Sequence, residues 1–199
     1  MKRAILSCAV VLAAGFLIAS EKAPENPRFT KENELIRPEN YREWIYVTSG
    51  LGMSYGPAAA SESNSPFDNV FVEPTAYRAF KETGKWPDKT IFVLELRAAT
   101  EHGSINRAGH FQTSLVAVEA AVKDEKRFPE KWAYFGFGGP GSLRATAKAF
   151  PKESCHSCHV KNAAVENTFV QFYPTLLEVA EAKGTLNASY SKPAPTPAK

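Results

Sequence analysis

The chain has 199 residues and a mass of 21.8 kDa, and 44% of its residues are hydrophobic, which suffices for one compact core and excludes a disordered protein. Lysine and arginine together number 24, against 21 aspartate and glutamate residues. The basic residues are scattered rather than grouped in a stripe, so nucleic acid is not an expected partner.

The first 20 residues are typical of a secretory signal peptide. Lys2 and Arg3 precede an apolar run over residues 4–18, and polar sequence follows Ser20, as in exported proteins. The run is about 15 residues long, shorter than the roughly 20 that a membrane-spanning helix needs. We therefore expect cleavage near Ser20. The mature chain would carry 22 basic and 21 acidic residues, so we expect no attraction to a membrane afterwards.

The sequence after the leader begins with polar and loop-like segments. Residues 21–37 are rich in Pro, Glu, Lys and Asn and are predicted to be a polar, solvated lead-in. Pro38 suits the first turn of a helix that would carry Tyr41, Trp44 and Ile45 on one face. Residues 49–66 are crowded with Gly, Ser, Ala and Pro, and we predict a long loop there, which in a compact domain is usually functional or disordered.

Strand patterns occupy the middle of the chain and helical patterns its end. Strands are predicted over residues 69–73, 90–98, 109–122 and 131–137, with a helix from Pro74 to near Gly84 between the first two. After a Gly-Pro break at residues 138–141 the pattern turns helical from Ser142, and residues 174–183 form a last helix ending at Gly184. This order predicts an α+β fold, an antiparallel β-sheet flanked by helices. The domain would span residues 38–184, followed by a flexible Pro-rich tail over residues 185–199.

Residues 155–159 form the motif from which a chemical function can be predicted. They read Cys-His-Ser-Cys-His, the C-x-x-C-H arrangement of covalent haem attachment. On a helix, Cys155, Cys158 and His159 cluster on one face, so that two thiols can join the two vinyl groups of a haem while the imidazole reaches the iron. His156 and Ser157 would be spacers that point elsewhere. We therefore expect one covalent haem c, held on a helix near the C-terminus.

Other interpretations of the cysteine segment are a redox-active dithiol, a disulfide or half of a zinc site. A thioredoxin-like C-x-x-C belongs at the start of a βαβ unit, whereas this one lies in a C-terminal helical region. Zinc would need a second ligand pair, and the mature chain has no further cysteine.

The ligand on the other face of the iron would decide between electron transfer and gas binding or catalysis. Met53 is the only methionine after the leader, and we consider it a candidate metal ligand, although a lone Met also fills core gaps. His102 and His110 are further candidates whose default interpretation is solvated loop histidines. Glu95 would be a solvent-facing strand residue, or a proton relay if it pointed inward.

With the haem motif near the end of a strand-rich chain, the sequence resembles the cytochrome P-460 family, which includes the cytochrome c-prime-beta proteins. The pieces that carry the resemblance are NYREW (40–44), FVEPTAYRAFKETGKWPD (71–88), VLELR (93–97), AVKDEKRF (121–128), CHSCH (155–159) and ENTFVQFYPTL (166–176). The resemblance runs from about residue 38 to residue 184.

The resemblance implies a periplasmic monohaem protein, a homodimer, with its haem on Cys155, Cys158 and His159. Members of the P-460 branch oxidise hydroxylamine and join a lysine to the porphyrin, and the position that aligns with this lysine is Leu94 here. The c-prime-beta branch, which binds nitric oxide and carbon monoxide, is then the nearer relative. We thus expect a small diatomic gas or a redox protein as partner, and an oxidoreductase acting on hydroxylamine or nitric oxide as the alternative.

Overall fold

The computed structural model of the chain describes residues 23–53 and 65–192. The predicted signal peptide, residues 1–20, lies outside the described residues, as do residues 54–64 of the predicted loop and residues 193–199 of the predicted tail. None of the helices in the described ranges is long and apolar enough to cross a membrane.

The centre of the described structure is a five-stranded antiparallel sheet with strand order β2–β3–β4–β5–β6. Its strands are β2 (Ile45–Leu51), β3 (Phe67–Val72), β4 (Ile91–Thr100), β5 (Phe111–Lys123) and β6 (Trp132–Gly138). Two short strands, β1 (Leu35–Ile36) and β7 (Thr146–Ala147), pair with each other in a second sheet. The helices are α1 (Pro74–Thr83), α2 (His156–Asn162) and α3 (Pro174–Lys183). The predicted α+β fold, with an antiparallel sheet and helices beside it, is confirmed.

The four strands predicted in the middle of the chain are observed as β3, β4, β5 and β6. The helix predicted from Pro38 is wrong beyond a single 3₁₀ turn over Tyr41–Glu43, because Ile45 already begins β2. β-branched residues such as Ile45 and Val47 favour extended backbone, and pairing with β3 satisfies the backbone groups that a helix would have bonded internally.

The helix predicted after Ser142 is also wrong. Residues 146–147 form β7 instead, and Ala149 bridges to Phe135 in β6. The backbone N–H of Phe150 donates to the carbonyl of Tyr134 at 2.7 Å. The alanines in this segment favour a helix locally, but hydrogen bonds to β1 and β6 override that preference.

The central sheet separates two apolar clusters. We call the side covered by α1 and α3 the helix face. Its cluster includes Phe80 and Leu176 from these helices and Phe92 and Trp132 from the sheet. The other side, the lead-in face, packs residues from before β2 against the sheet, among them Leu35 and Tyr41. Because side chains alternate along a strand, consecutive residues of β4 and β5 belong to different faces.

The two ends of the described chain pack on this core. Leu35, within the predicted lead-in, is 0% exposed. It belongs to β1, which pairs with β7. In the first part of the predicted tail, Asn187 Nδ2 donates to the carbonyls of Ala163 and Glu166, each at 2.8 Å. Tyr190 packs on the helix-face cluster. Both segments thus contribute to the folded domain.

Candidate haem site

Helix α2 presents the cysteine segment at the surface beside β6. Cys155 is the N-cap residue of the helix and is half-buried, whereas Cys158 is exposed, and both are free thiols. Burial raises the pKa of the Cys155 thiol, and the nearby Glu119 and Cys158 raise it further. A redox-active dithiol needs a lowered pKa, so this environment disfavours the thioredoxin-like interpretation. Two unpaired thiols one helical turn apart suit thioether attachment.

His159 is held in the neutral form that binds metals. Its ring lies between those of Tyr134 and Phe169, with centroid distances of 4.2 and 4.3 Å. Its Nδ1 is 2.8 Å from the carbonyl oxygen of Asn167, a contact that assigns the proton to Nδ1. Burial lowers the pKa of His159. The free lone pair of a neutral imidazole then lies on Nε2, which is the atom available to iron.

Besides His159, Asn167 contacts two further residues of the site. The Tyr134 hydroxyl donates to the same Asn167 carbonyl at 3.1 Å. The Asn167 side chain, through Nδ2, lies 3.1 Å from Nε2 of His156. His156, predicted to be a spacer that points elsewhere, thus has Asn167 as a hydrogen-bond partner. Sequence reasoning missed Asn167 because nothing in its local sequence distinguishes it from a loop residue.

Apolar side chains before, within and after α2 in the sequence are partly exposed, and a large apolar cofactor needs such side chains to pack on. Phe150 and Phe172 are each 38% exposed and Val160 is 48% exposed. Gly136 in β6 has no room for a side chain, since a Cβ there would overlap the Phe150 ring. By the chemistry of its donor set, two free thiols and an imidazole, the segment around α2 fits a covalently attached haem.

A continuous row of residues crosses the helix face near the cysteines. Val70, Leu94, Glu119 and Gly136 are paired in register across β3, β4, β5 and β6. Leu94, the position aligned with the crosslinking lysine, thus lies on the side of the sheet that Tyr134 shares with Cys155.

Two carboxylates that sequence reasoning missed lie on this face. Glu119 is paired with Leu94, and Asp68 is paired with Leu96 two residues further along the same strand. Burial raises the pKa of Asp68 to about 6. Burial, and then the charge of Asp68, raise the pKa of Glu119. The signal for Glu119 was its position as a single acidic residue in the otherwise apolar run LVAVEAAV.

Glu95, the proton relay considered from the sequence, is not on this face. It packs on the lead-in face, where its carboxylate accepts hydrogen bonds from Tyr41 and Arg97 and pairs with Arg42. Burial alone would raise the pKa of Glu95, but the hydrogen bonds from Arg97 and Tyr41 and the charge of Arg42 outweigh it, so the pKa is lowered. Glu95 is a structural anion.

The three candidates for the second axial ligand lie in two places in the chain, Met53 after β2 and both histidines between β4 and β5. Met53 follows β2 and packs on Gly50 of that strand, since a Cβ built on Gly50 would overlap the Met53 Sδ. The same Cβ position would lie 3.8 Å from Asp68 Oδ2. Met53 therefore lies beside the half-buried Asp68. His102 and His110 lie in the connection between β4 and β5, where each is near Glu101, at 3.6 and 3.9 Å. The role of Met53 as a ligand stays a prediction.

Within residues 23–53 and 65–192, no three or more His, Cys, Asp and Glu side chains are close enough together to hold a metal ion. These ranges thus offer the cysteine segment no second ligand pair for zinc. A haem differs because its porphyrin supplies four of the iron ligands, and the protein needs to provide only the axial ones.

Two free thiols and a half-buried histidine lie in one helical segment beside an antiparallel sheet, the donor set expected of a haem-binding cytochrome. The family model described as Cytochrome P460 matches residues 38–170, about two thirds of the chain. The chain belongs to this family, as its resemblance to the cytochrome P-460 proteins predicted. A comparison with curated proteins found no match.

Proposed function

We propose that the protein is a periplasmic monohaem c-type cytochrome that binds a small diatomic gas, nitric oxide or carbon monoxide, or transfers electrons. Cys155 and Cys158 would hold one haem c covalently, and His159 would be the axial ligand. The observation that carries the proposal is the neutral His159, whose Nδ1 is engaged by the Asn167 carbonyl and whose Nε2 remains for iron. Haem iron supplies gas binding or one-electron chemistry according to its second axial position.

Leu94 favours gas binding over the hydroxylamine chemistry of crosslinked relatives. A leucine cannot form a covalent bond with the porphyrin, and its neighbour Val70 in β3 is also apolar. Apolar side chains at a haem face disfavour water and polar ligands but admit diatomic gases. This supports a relationship to the c-prime-beta branch of the family.

Covalent attachment is tested by expressing the full chain in a host that matures c-type cytochromes. We expect the purified protein to retain haem stain on a denaturing gel and to gain the mass of one haem. The variant carrying Cys155→Ala and Cys158→Ala should lose both signals, while Ser157→Ala, a change at an exposed position of the same helix, should keep them. A colourless protein of bare polypeptide mass would refute the proposal.

Gas binding is tested by optical spectra of the reduced protein with and without nitric oxide or carbon monoxide. A spectrum that changes on adding either gas supports a gas-binding role. A six-coordinate spectrum that does not respond to either gas favours electron transfer. Detection of the haem protein in the periplasmic fraction, and a dimer mass by light scattering, would test the proposed location and the homodimer.

The carboxylates Asp68 and Glu119 favour a second candidate function, an oxidoreductase acting on hydroxylamine or nitric oxide. Such a reaction needs a group that accepts protons near the substrate, and the raised pKa of Asp68, about 6, suits this task near neutral pH. Steady turnover of hydroxylamine with an electron acceptor, lost in Glu119→Gln but kept in the exposed-site control Glu101→Gln, would establish this alternative. Absence of turnover in the haem-loaded protein would exclude it.

A further inference from the structure

The backbone carbonyl of Asn167 accepts hydrogen bonds from two different side chains. One comes from His159 Nδ1 at 2.8 Å and the other from the Tyr134 hydroxyl at 3.1 Å. A carbonyl oxygen has two lone pairs and can accept both, but each donor draws on the same electron density. The hydrogen bond from His159 is thus weaker than it would be if His159 were the single donor to this carbonyl.

We propose that Tyr134 is a positioning residue that sets the strength of the hydrogen bond on the proximal histidine by sharing the Asn167 carbonyl with it. A hydrogen bond from the distant nitrogen of an axial histidine makes the histidine a stronger electron donor to its metal. By weakening this bond, Tyr134 would raise the reduction potential of the iron. This inference rests on the proposed function, because it requires His159 to bind haem iron.

The segment that carries the carbonyl is fixed from several sides. The side chain of Asn167 is hydrogen-bonded to the ring of His156. The preceding residue, Glu166, is held by Asn187, whose Oδ1 accepts from the Glu166 N–H at 3.1 Å and whose Nδ2 donates to its carbonyl at 2.8 Å. The carbonyl therefore cannot simply turn toward one donor, and the two donors must share it.

The Tyr134 hydroxyl is a permanent donor in this arrangement. A tyrosine hydroxyl ordinarily has a pKa of about 10, so it keeps its proton near neutral pH and the Tyr134 hydroxyl donates to the Asn167 carbonyl. The ring is fixed by its packing on the His159 ring, 4.2 Å away between centroids. Replacing tyrosine by phenylalanine keeps this ring contact and removes only the hydroxyl.

The test compares Tyr134→Phe with the wild type, both loaded with haem. We expect the reduction potential to shift downward and the iron–histidine stretching frequency of the reduced protein to shift upward, since the His159 bond strengthens. Tyr190→Phe is the matched control, because the Tyr190 hydroxyl is buried with no hydrogen-bond partner in the described structure, and it should shift neither quantity. A third protein with 3-fluorotyrosine at position 134, a stronger donor of the same shape, should shift both quantities in the opposite direction.

The inference is overturned if both haem-loaded variants match the wild type in potential and stretching frequency, or if the shifts have the wrong sign. Should Tyr134→Phe fail to fold, the fluorinated protein decides alone by the sign of its shift. Failure of the proposed function is distinguishable, because it would appear earlier, as a wild-type protein without covalent haem.

Discussion

Acidic residues of the same sheet differ in their electrostatics because they lie on different faces. Glu95 meets two arginines and a tyrosine hydroxyl on the lead-in face, and its pKa is lowered. Asp68 and Glu119 lie on the helix face near the candidate haem site, and burial raises the pKa of both. Position relative to the sheet therefore separates structural carboxylates from candidate proton acceptors.

At the residue scale, Asp68→Asn should change how stability depends on pH. A raised pKa means that the folded protein binds the proton more tightly than the unfolded chain, so Asp68 makes stability fall as pH rises from about 4, its unfolded value, to about 6. The Asp68→Asn variant does not lose stability in this way. Its free energy of unfolding relative to that of the wild type should therefore rise across this window and be constant above it. Unfolding midpoints measured from pH 4 to 8 check this, with Glu39→Gln, an 80% exposed position, as control. Parallel curves for Asp68→Asn and wild type would contradict it.

Met53→Ala tests the one methionine that could bind the iron. If Met53 is the second axial ligand, the reduced protein should change from a six-coordinate to a five-coordinate optical spectrum, because the thioether is removed. Leu51→Ala, at the exposed end of β2, should leave the spectrum as in the wild type. An unchanged spectrum for Met53→Ala would remove Met53 from the site.

At the element scale, α1 has complete start and stop signals in its sequence. Glu73 is the N-cap, and its side chain accepts from the backbone N–H groups of Thr75 and Ala76 at 2.8 and 2.9 Å. Pro74 occupies the first turn, and Gly84 ends the helix with a φ of 70°, which glycine adopts without strain. These local signals explain why the predicted bounds of this helix were correct.

Glu73→Ala should lower the free energy of unfolding by about 1 kcal/mol, since two backbone donors lose their cap. Glu82→Ala, at an exposed position of the same helix, should change it by less than about 0.5 kcal/mol. Urea denaturation of the haem-loaded protein measures both. Equal effects of the two substitutions would show that the cap contributes nothing specific.

At the scale of the whole molecule, both faces of the central sheet must be covered. The helix face is covered by α1 and α3, while the lead-in face depends on residues that precede β2 and on β7. The segment before Pro38 is polar overall, but it contributes Leu35 to the core through the pairing of β1 with β7. The short strand β1, an apolar element in a polar segment, thus completes the apolar cluster on the lead-in face.

Leu35→Ala should destabilise the protein by about 3 kcal/mol, the loss expected for a leucine truncated in a packed core. Leu51→Ala, at a 45% exposed position, should cost far less because the leucine is already partly in water. Chemical denaturation of the mature chain measures the difference. A loss for Leu35→Ala no larger than that for Leu51→Ala would mean that the lead-in is dispensable.

The sequence by itself determined the features that are encoded locally. The C-x-x-C-H motif predicted Cys155, Cys158 and His159 as haem-binding residues, runs of strand-favouring residues predicted β3 to β6, and Pro74 and Gly84 predicted the bounds of α1. It failed at the segments after Pro38 and Ser142, because helix-favouring residues there gain more from pairing with strands distant in sequence than from a local helix.

Only the tertiary structure decided which polar groups surround the candidate site. The face on which Glu95 and Glu119 lie follows from strand register, and a shift of one residue would exchange them. The contacts of Asn167 with Tyr134, His156 and His159 join three separate elements. Such contacts depend on packing between distant parts of the chain, so no local pattern of residues records them.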